Sequence, residues 1–431
     1  MIKKLFMAHH SDYAKELWYV ATELRLRGVV PWVDKDGGFE VADDCEPVAR
    51  RAIRDECFGL MLYATKSAFS RDFIRNIELD EARKTYDAAQ AAGQEYDFFG
   101  VPRGIGYKEL SDLSMQAVQM DLSRMNTVSI PANLSLDPLI DPAYPEKAAQ
   151  AIRGFQQRCE KLGSEVSKRV IRRGAERYGR SRISLQFRTR SEPMPDRDDD
   201  VLFIDAASLF QDGITGQDKW DRLLRGLLDV RRHIAHYYGR PRIYMHGSKH
   251  TTSAFLFGRV FSRFALEIRQ TADETAVWST DTPPAGTEPF AASVEGVDQL
   301  EGLGAPESNH GPRALFVEIA SGYKDIRAGT DAHVQAGGPK PIARLRLRPN
   351  DPNVPLTLDN ATCVAMAAQT YRCIQEAVRD YRCTEIHLFI ASYMSFTTML
   401  GHQFFNGVPP VHVYEWDGSR YSCSCIVPSD L

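Results

Sequence analysis

The sequence predicts an α/β protein of two domains: a parallel sheet with covered faces, then a larger domain of two Rossmann-like halves. Three observations predict it. The first third alternates short apolar strands with amphipathic helices, the pattern of a doubly wound sheet. Phe58 to Tyr63 is almost continuously apolar, as a strand buried on both faces must be. A strand, polar turn and helix beginning at Ile243 return without a gap 143 positions later, at Ile386. A chain of 431 residues also exceeds what one hydrophobic core usually serves.

Each element has its own signal. Lys4 to Ala8 is a short apolar strand that ends in the polar cluster His9-His10-Ser11-Asp12. Ala14, Leu17, Trp18, Ala21 and Leu24 recur at three- and four-residue spacing, so a helix follows and stops at Gly28. Val29 to Val33 is the second strand, and Asp36-Gly37-Gly38 opens a loop running to Asp44. Pro47 sits near the start of a helix that reaches Asp55, where its missing N–H costs nothing. The strand Phe58 to Tyr63 leads to a helix from about Ser70 carrying Phe73, Ile74, Ile77, Glu78 and Leu79. Pro-containing text from Ile130 to Pro145 marks the exit from this domain. A charged helix from Glu146 to Tyr178, interrupted at Gly154, Gly163 and Gly174, reads as a solvated spacer.

The remainder, from Ser181, holds the repeat. Ile243 to Ser248 and Ile386 to Ala391 each run as a strand into a polar turn and a helix. At the same offset Gly258 matches Gly401 and Phe261 matches Phe404. Leu266 to Gln270 and Val411 to Tyr414 supply the next strand of each copy, and Thr282 to Pro312 reads as an irregular segment between them.

Composition narrows the function. The net charge of −4 argues against a protein that coats long nucleic acid, although it leaves room for a local basic pocket. The eight cysteines show no CxxC or zinc spacing and read as buried thiols in a reducing cytoplasm. No basic-plus-apolar leader opens the chain, and no apolar run approaches the roughly 20 residues that span a bilayer. A cytoplasmic protein without membrane contact is the expectation. No GxGxxG follows a first strand and no phosphate-binding P-loop occurs, so a redox dinucleotide cofactor is not expected.

Phe6-Met7-Ala8-His9-His10 resembles the first-strand motif of TIR domains, and Ile74-Arg75-Asn76-Ile77-Glu78-Leu79 is similar to their Glu-Leu helix motif. Ile74-Arg75 stands where that family has an aromatic-cysteine pair, and His10 where an arginine is common. From Ser181 on, His387 to Ser392, Gly401 and Pro410 to Glu415 resemble SAVED domains, fused pairs of CARF-like units that bind cyclic oligonucleotides. The resemblance implies a flavodoxin-like TIR domain over residues 1–135, a linker and connecting helix over 136–180, and a SAVED domain over 181–431. Its two Rossmannoid copies lie near 242–270 and 385–415.

The implied function is a latent enzyme of cyclic-oligonucleotide-based antiphage signalling (CBASS). The SAVED-like domain takes a cyclic messenger, by analogy a cyclic tri-adenylate, and TIR domains assemble into an oligomer or filament and hydrolyse NAD. NAD is then substrate, not cofactor. Glu78 is the candidate catalytic group, because cleaving the nicotinamide–ribose bond develops positive charge that a carboxylate stabilises. His9, His10, Ser11 and Trp32 are the substrate-contact candidates, at strand ends where open α/β sheets bind ligands. Adjacent histidines also suggest a metal, but no third ligand has suitable spacing, so none is expected.

Lys249, His250, Thr251 and Thr252 in one copy, and Ser392, Tyr393 and Ser395 in the other, place hydroxyls, a cation and amides at helix starts, which suits phosphate. The same hydroxyls also serve as plain helix caps. A non-catalytic adaptor that recruits a partner through its TIR-like domain is the alternative.

Overall fold

The computed structural model describes residues 3–33, 45–138, 145–191, 200–269, 277–286, 288–296, 312–322, 326–350, 359–404 and 407–431. Its backbone divides into two compact units, residues 1–173 with 196–204, and residues 174–195 with 205–431. The expected loop from Lys35 to Asp44 lies outside the described residues.

In the first unit, β1 (Lys4–Ala8), α1 (Ala14–Arg25), β2 (Pro31–Trp32), α2 (Cys45–Arg51), β3 (Cys57–Ala64), α3 (Lys66–Ser70), α4 (Asp80–Ala91), β4 (Asp97–Pro102), α5 (Tyr107–Val118) and β5 (Asn126–Thr127) alternate along the chain. The strands form one parallel sheet in the order β2-β1-β3-β4-β5. The continuous apolar run of β3 suits its central place, because helices cover both faces there. β2 is shorter than its apolar text suggests. Pro31 has no N–H to give to a ladder, which confines this strand to the sheet edge. Strand β4 and helix α5 were not foreseen.

The long helix α6 (Pro145–Tyr178) is uninterrupted. Its glycines are points of close approach rather than breaks. A Cβ at Gly154 would lie 2.7 Å from the Leu134 side chain, and one at Gly163 would lie 3.0 Å from the carbonyl oxygen of Glu23. Phe155, Cys159, Leu162 and Val166 are buried in one core with Leu17, Val20 and Leu24 of α1. Apolar burial on that stripe outweighs the cost of helical glycine, so this stretch is a packed element rather than a solvated spacer.

After α6 come β6 (Arg182–Arg188), β7 (Asp200–Asp205), which falls across the boundary of the two units, α7 (Gln217–Tyr238), β8 (Arg242–His246), α8 (Thr251–Val260), β9 (Ala265–Ile268) and β10 (Trp278–Ser279). The last stretch holds β11 (Phe290–Gly296), β12 (Ala314–Ala320), α9 (Arg327–Gln335), β13 (Pro341–Pro349), α10 (Asn360–Tyr381), β14 (Glu385–Ala391), α11 (Met394–Gln403), β15 (Val411–Trp416) and β16 (Tyr421–Val427).

The repeat is visible in the pairing of the second unit. β6, β8 and β9 are parallel neighbours and β10 closes antiparallel; β12, β14 and β15 are parallel neighbours and β16 closes antiparallel. β13 pairs parallel to β12 and extends the second sheet. β11 lies inside the segment expected to be irregular, yet pairs antiparallel with β13 over its whole length. Its text is mostly small and polar because it is a sheet edge exposed over most of its length.

Helices α8 and α11, equivalent in the repeat, pack backbone to backbone. A Cβ on Gly258 would fall 2.0 Å from the Thr398 carbonyl oxygen, and one on Gly401 would fall 2.1 Å from that of Phe255. The first contact maps onto the second at the 143-residue offset, so a pseudo-twofold relates them. Gly258→Ala and Gly401→Ala should therefore each destabilise the second unit by about 2 kcal/mol or more, as overpacking against a rigid backbone does. Thermal unfolding of the full chain measures this, with Gly322→Ala, which meets no atom within 4 Å, expected to be neutral.

Candidate functional site

Parallel strands β1 and β3 are where the order of the first sheet reverses, and ligands of such sheets collect at the C-terminal strand ends beside that point. Three of the expected contacts follow β1 there. His9 is half-buried with Nδ1 3.4 Å from the Met7 carbonyl oxygen, and Ser11 is exposed. His10 stands at the N-cap of the short turn Ser11–Tyr13, its Nδ1 3.3 Å from Asp12 Oδ2. Its Nε2 accepts from Arg71 Nε at 3.0 Å. Arg71 thus ties the end of β1 to the connection leaving β3, a contact that the sequence reading missed because the two residues are 61 positions apart.

Glu78 lies just beyond, in a π-helical turn from Ile74 to Leu79 that runs into α4, and is 9% exposed. Such turns widen a helix locally and are frequent at functional sites. Trp32 is buried and stacks on Phe6 with ring centroids 4.6 Å apart, so its ring belongs to the core. Phe6 therefore covers one face of the ring expected to stack on substrate.

A second cluster at the strand ends was not foreseen. Tyr63 donates to Glu16 Oε2 at 2.6 Å, and Arg103 grips both Glu16 oxygens at 2.8 Å. Burial and the Glu16 acceptor push the Tyr63 phenol well above its ordinary range. This bidentate pair staples α1 to the ends of β3 and β4 and leaves Glu16 no oxygen for chemistry.

In the second unit the two strand–turn–helix copies differ in what they expose. After β8, Gly247 adopts φ +124°, and a Cβ there would meet the Phe187 carbonyl oxygen at 2.1 Å. Thr252 is fully buried. Its amide donates to Glu415 Oε1 at 2.5 Å, and its hydroxyl lies 2.5 Å from Ser424 Oγ. Thr251 also bonds Glu415, whose carboxyl is pushed up by burial while these bonds pull it back. The first turn of α8 therefore already holds a carboxyl group, and it is the protein's own. Thr251 and Thr252, the residues expected at a phosphate, both bond that carboxyl group. His250 is half-buried, and Thr189 Oγ1 accepts from its amide at 2.9 Å and lies 3.1 Å from its Nδ1.

After β14 the equivalent residues are more open. Tyr393 is the N-cap of α11 and 49% exposed, and Ser392 beside it is half-buried. Ser395 is fully buried and bonds the Cys363 thiol. The accessible candidates are thus Tyr393, Ser392 and His250, with Ser395 behind them.

Lys249 has an unusual setting. It is buried, and its Nζ donates to the Gly247 carbonyl oxygen at 2.6 Å, with Met245 Sδ at 3.1 Å. Burial alone pushes its ammonium down to about 7. An unfolded lysine keeps its proton to roughly pH 10. Between these values the unfolded chain binds more protons, so stability rises with pH across this window and the penalty is complete below pH 7. Lys249→Met should raise the melting temperature at pH 6, with the gain shrinking toward pH 10. A gain independent of pH in a thermal-shift series would contradict this assignment.

With this geometry in place, comparison with known proteins is informative for the second unit. Residues 227–427 match the family model of SAVED, the "SMODS-associated and fused to various effectors sensor domain". No curated protein matches the chain. Among solved structures it is similar to the Acinetobacter baumannii Cap4 SAVED/CARF-domain containing receptor with 2'3'3'-cAAA, at 14% identity over 86% of this chain and 80% of that one, TM-score 0.46. The same receptor with 3'3'3'-cAAA aligns at 12% identity over 97% and 99%, TM-score 0.46. The Moraxella osloensis Cap4 receptor aligns at 14% identity over 99% and 87%, TM-score 0.42. Residues 227–427 of this chain are a SAVED sensor domain.

Proposed function

We propose that this chain is a ligand-gated antiphage effector. Its SAVED domain binds a cyclic oligonucleotide, and its TIR-like N-terminal unit then assembles with other copies and hydrolyses NAD. The observation that carries the enzymatic half is Glu78. It is a nearly buried carboxylate in a π-helical turn, on the helix that leaves the central strand of an all-parallel sheet. The sensor half rests on the SAVED match and on the exposed Tyr393 beside Ser392, an aromatic and a hydroxyl suited to a base and a phosphate.

The chemistry asked of Glu78 is modest. As the bond between nicotinamide and ribose C1′ breaks, its electron pair returns to the pyridinium ring and neutralises it. The sugar becomes cationic, and Glu78 holds the ribose hydroxyls and stabilises that charge. Water then adds to C1′ and releases one proton, giving nicotinamide and ADP-ribose. NAD enters as substrate, and no resident cofactor is required. His10, fixed by Arg71, and Ser11 are the nearest candidates to contact the substrate.

The test is nicotinamide release by the full chain, with and without a panel of cyclic di-, tri- and tetranucleotides, cyclic tri-adenylate first. Release is expected with one ligand only, and Glu78→Gln should lower kcat about 100-fold or more while leaving ligand binding intact. Tight binding of a cyclic nucleotide with no release would make the N-terminal unit a recruiting adaptor instead.

A further inference from the structure

At the starts of β14 and β15 three metal-ligating side chains share one face of the sheet. Glu385 and His387 are two apart on β14 and so point the same way, and His412 of β15 is the ladder partner of His387. The imidazoles of His387 and His412 stack with centroids 4.4 Å apart and planes 16° from parallel. Each oxygen of Glu385 faces one of them: Oε1 is 2.8 Å from His387 Nε2, and Oε2 is 3.6 Å from His412 Nε2. One ligand atom from each of the three residues falls within a 4.8 Å circle. The spacing of the histidines in the chain, 25 positions, gave no hint of this.

We propose that Glu385, His387 and His412 form a binding site for a borderline divalent cation of the Zn2+ class. Two imidazoles and one carboxylate are a ligand set that Zn2+ takes at about 2.0–2.2 Å, with a fourth position left to solvent. Donors around such an ion stand about 3.3–3.5 Å apart, so the three groups need only small side-chain shifts. The cluster carries one negative charge and no cationic side chain among its members, which a divalent ion reverses. Burial and the His333 imidazole hold His387 down to about 4, and burial and His387 lower His412, which favours the neutral ring that ligates a metal.

The outer shell is also in place. Tyr414 Oη lies 2.9 Å from His387 Nδ1. Coordination through Nε2 moves the ring hydrogen to Nδ1, where the tyrosine oxygen turns from donor to acceptor, and no proton is lost overall. His387 is 2% exposed, while Glu385 and His412 are 16% and 18% exposed, so one side is open to an entering ion. The site lies at the opposite end of β14 from Ser392 and Tyr393. A bound ion there cross-links the two strands that supply α11 and Glu415.

The experiment uses the full chain, stripped with chelator and titrated with Co2+ as the spectroscopic probe. One Co2+ per chain is expected, with visible ligand-field absorption of a four- or five-coordinate N/O site, no thiolate charge-transfer band, and displacement by Zn2+. Glu385→Gln and His412→Ala, both at partly exposed positions, should weaken binding at least about tenfold. Zn2+ should raise the melting temperature of the parent chain and not of these variants. No stoichiometric binding at micromolar metal, or binding unchanged in both folded variants, overturns the proposal. A thiolate band would do so as well, by placing the metal on a cysteine.

Discussion

The second unit depends on two helices approaching until their backbones touch. Gly258 of α8 faces a carbonyl of α11, Gly401 of α11 faces a carbonyl of α8, and neither position has room for a methyl group. Because each contact is the image of the other, the pair sets the two halves in a twofold-like arrangement. The flanking positions then fill with large apolar groups, Phe255 against Phe404 and Phe404 against Tyr371. Close packing at that density tolerates neither a void nor an extra carbon.

That arrangement also sets what each half can offer a ligand. Where α8 begins, β15 and β16 deliver Glu415 and Ser424, which take the amide and hydroxyl of Thr252. Among the described residues Lys249 is held by a carbonyl and a sulfur, and it loses much of its basicity to burial. Where α11 begins, Tyr393 stands exposed. Two stretches that look alike as text therefore differ in kind. One is polar and internally satisfied, and the other is open.

In the first unit, polar contacts between distant segments organise the strand ends. Glu16, Tyr63 and Arg103 come from α1, β3 and the end of β4, and their mutual bonds fix those ends with few degrees of freedom left. His10 and Arg71 do the same on the other side of β1. Glu78 lies in a widened helical turn and is nearly buried.

Local pattern alone determined the class of fold. Alternating apolar strands and amphipathic helices imply a parallel sheet because each face must be covered, and a 143-residue repeat implies two halves because each copy carries the same strand, turn and helix. The polar turns at strand ends were legible for the same reason, since backbone geometry puts them there. What tertiary structure decided is which of those side chains remain available. Thr252 is taken by a carboxylate 163 positions away, Trp32 by Phe6, and the glycines of α6 by close neighbours rather than by a break. The cluster of Glu385, His387 and His412 arises only from ladder register between two strands. Burial and register are long-range quantities, and no window of sequence contains both partners of such a contact.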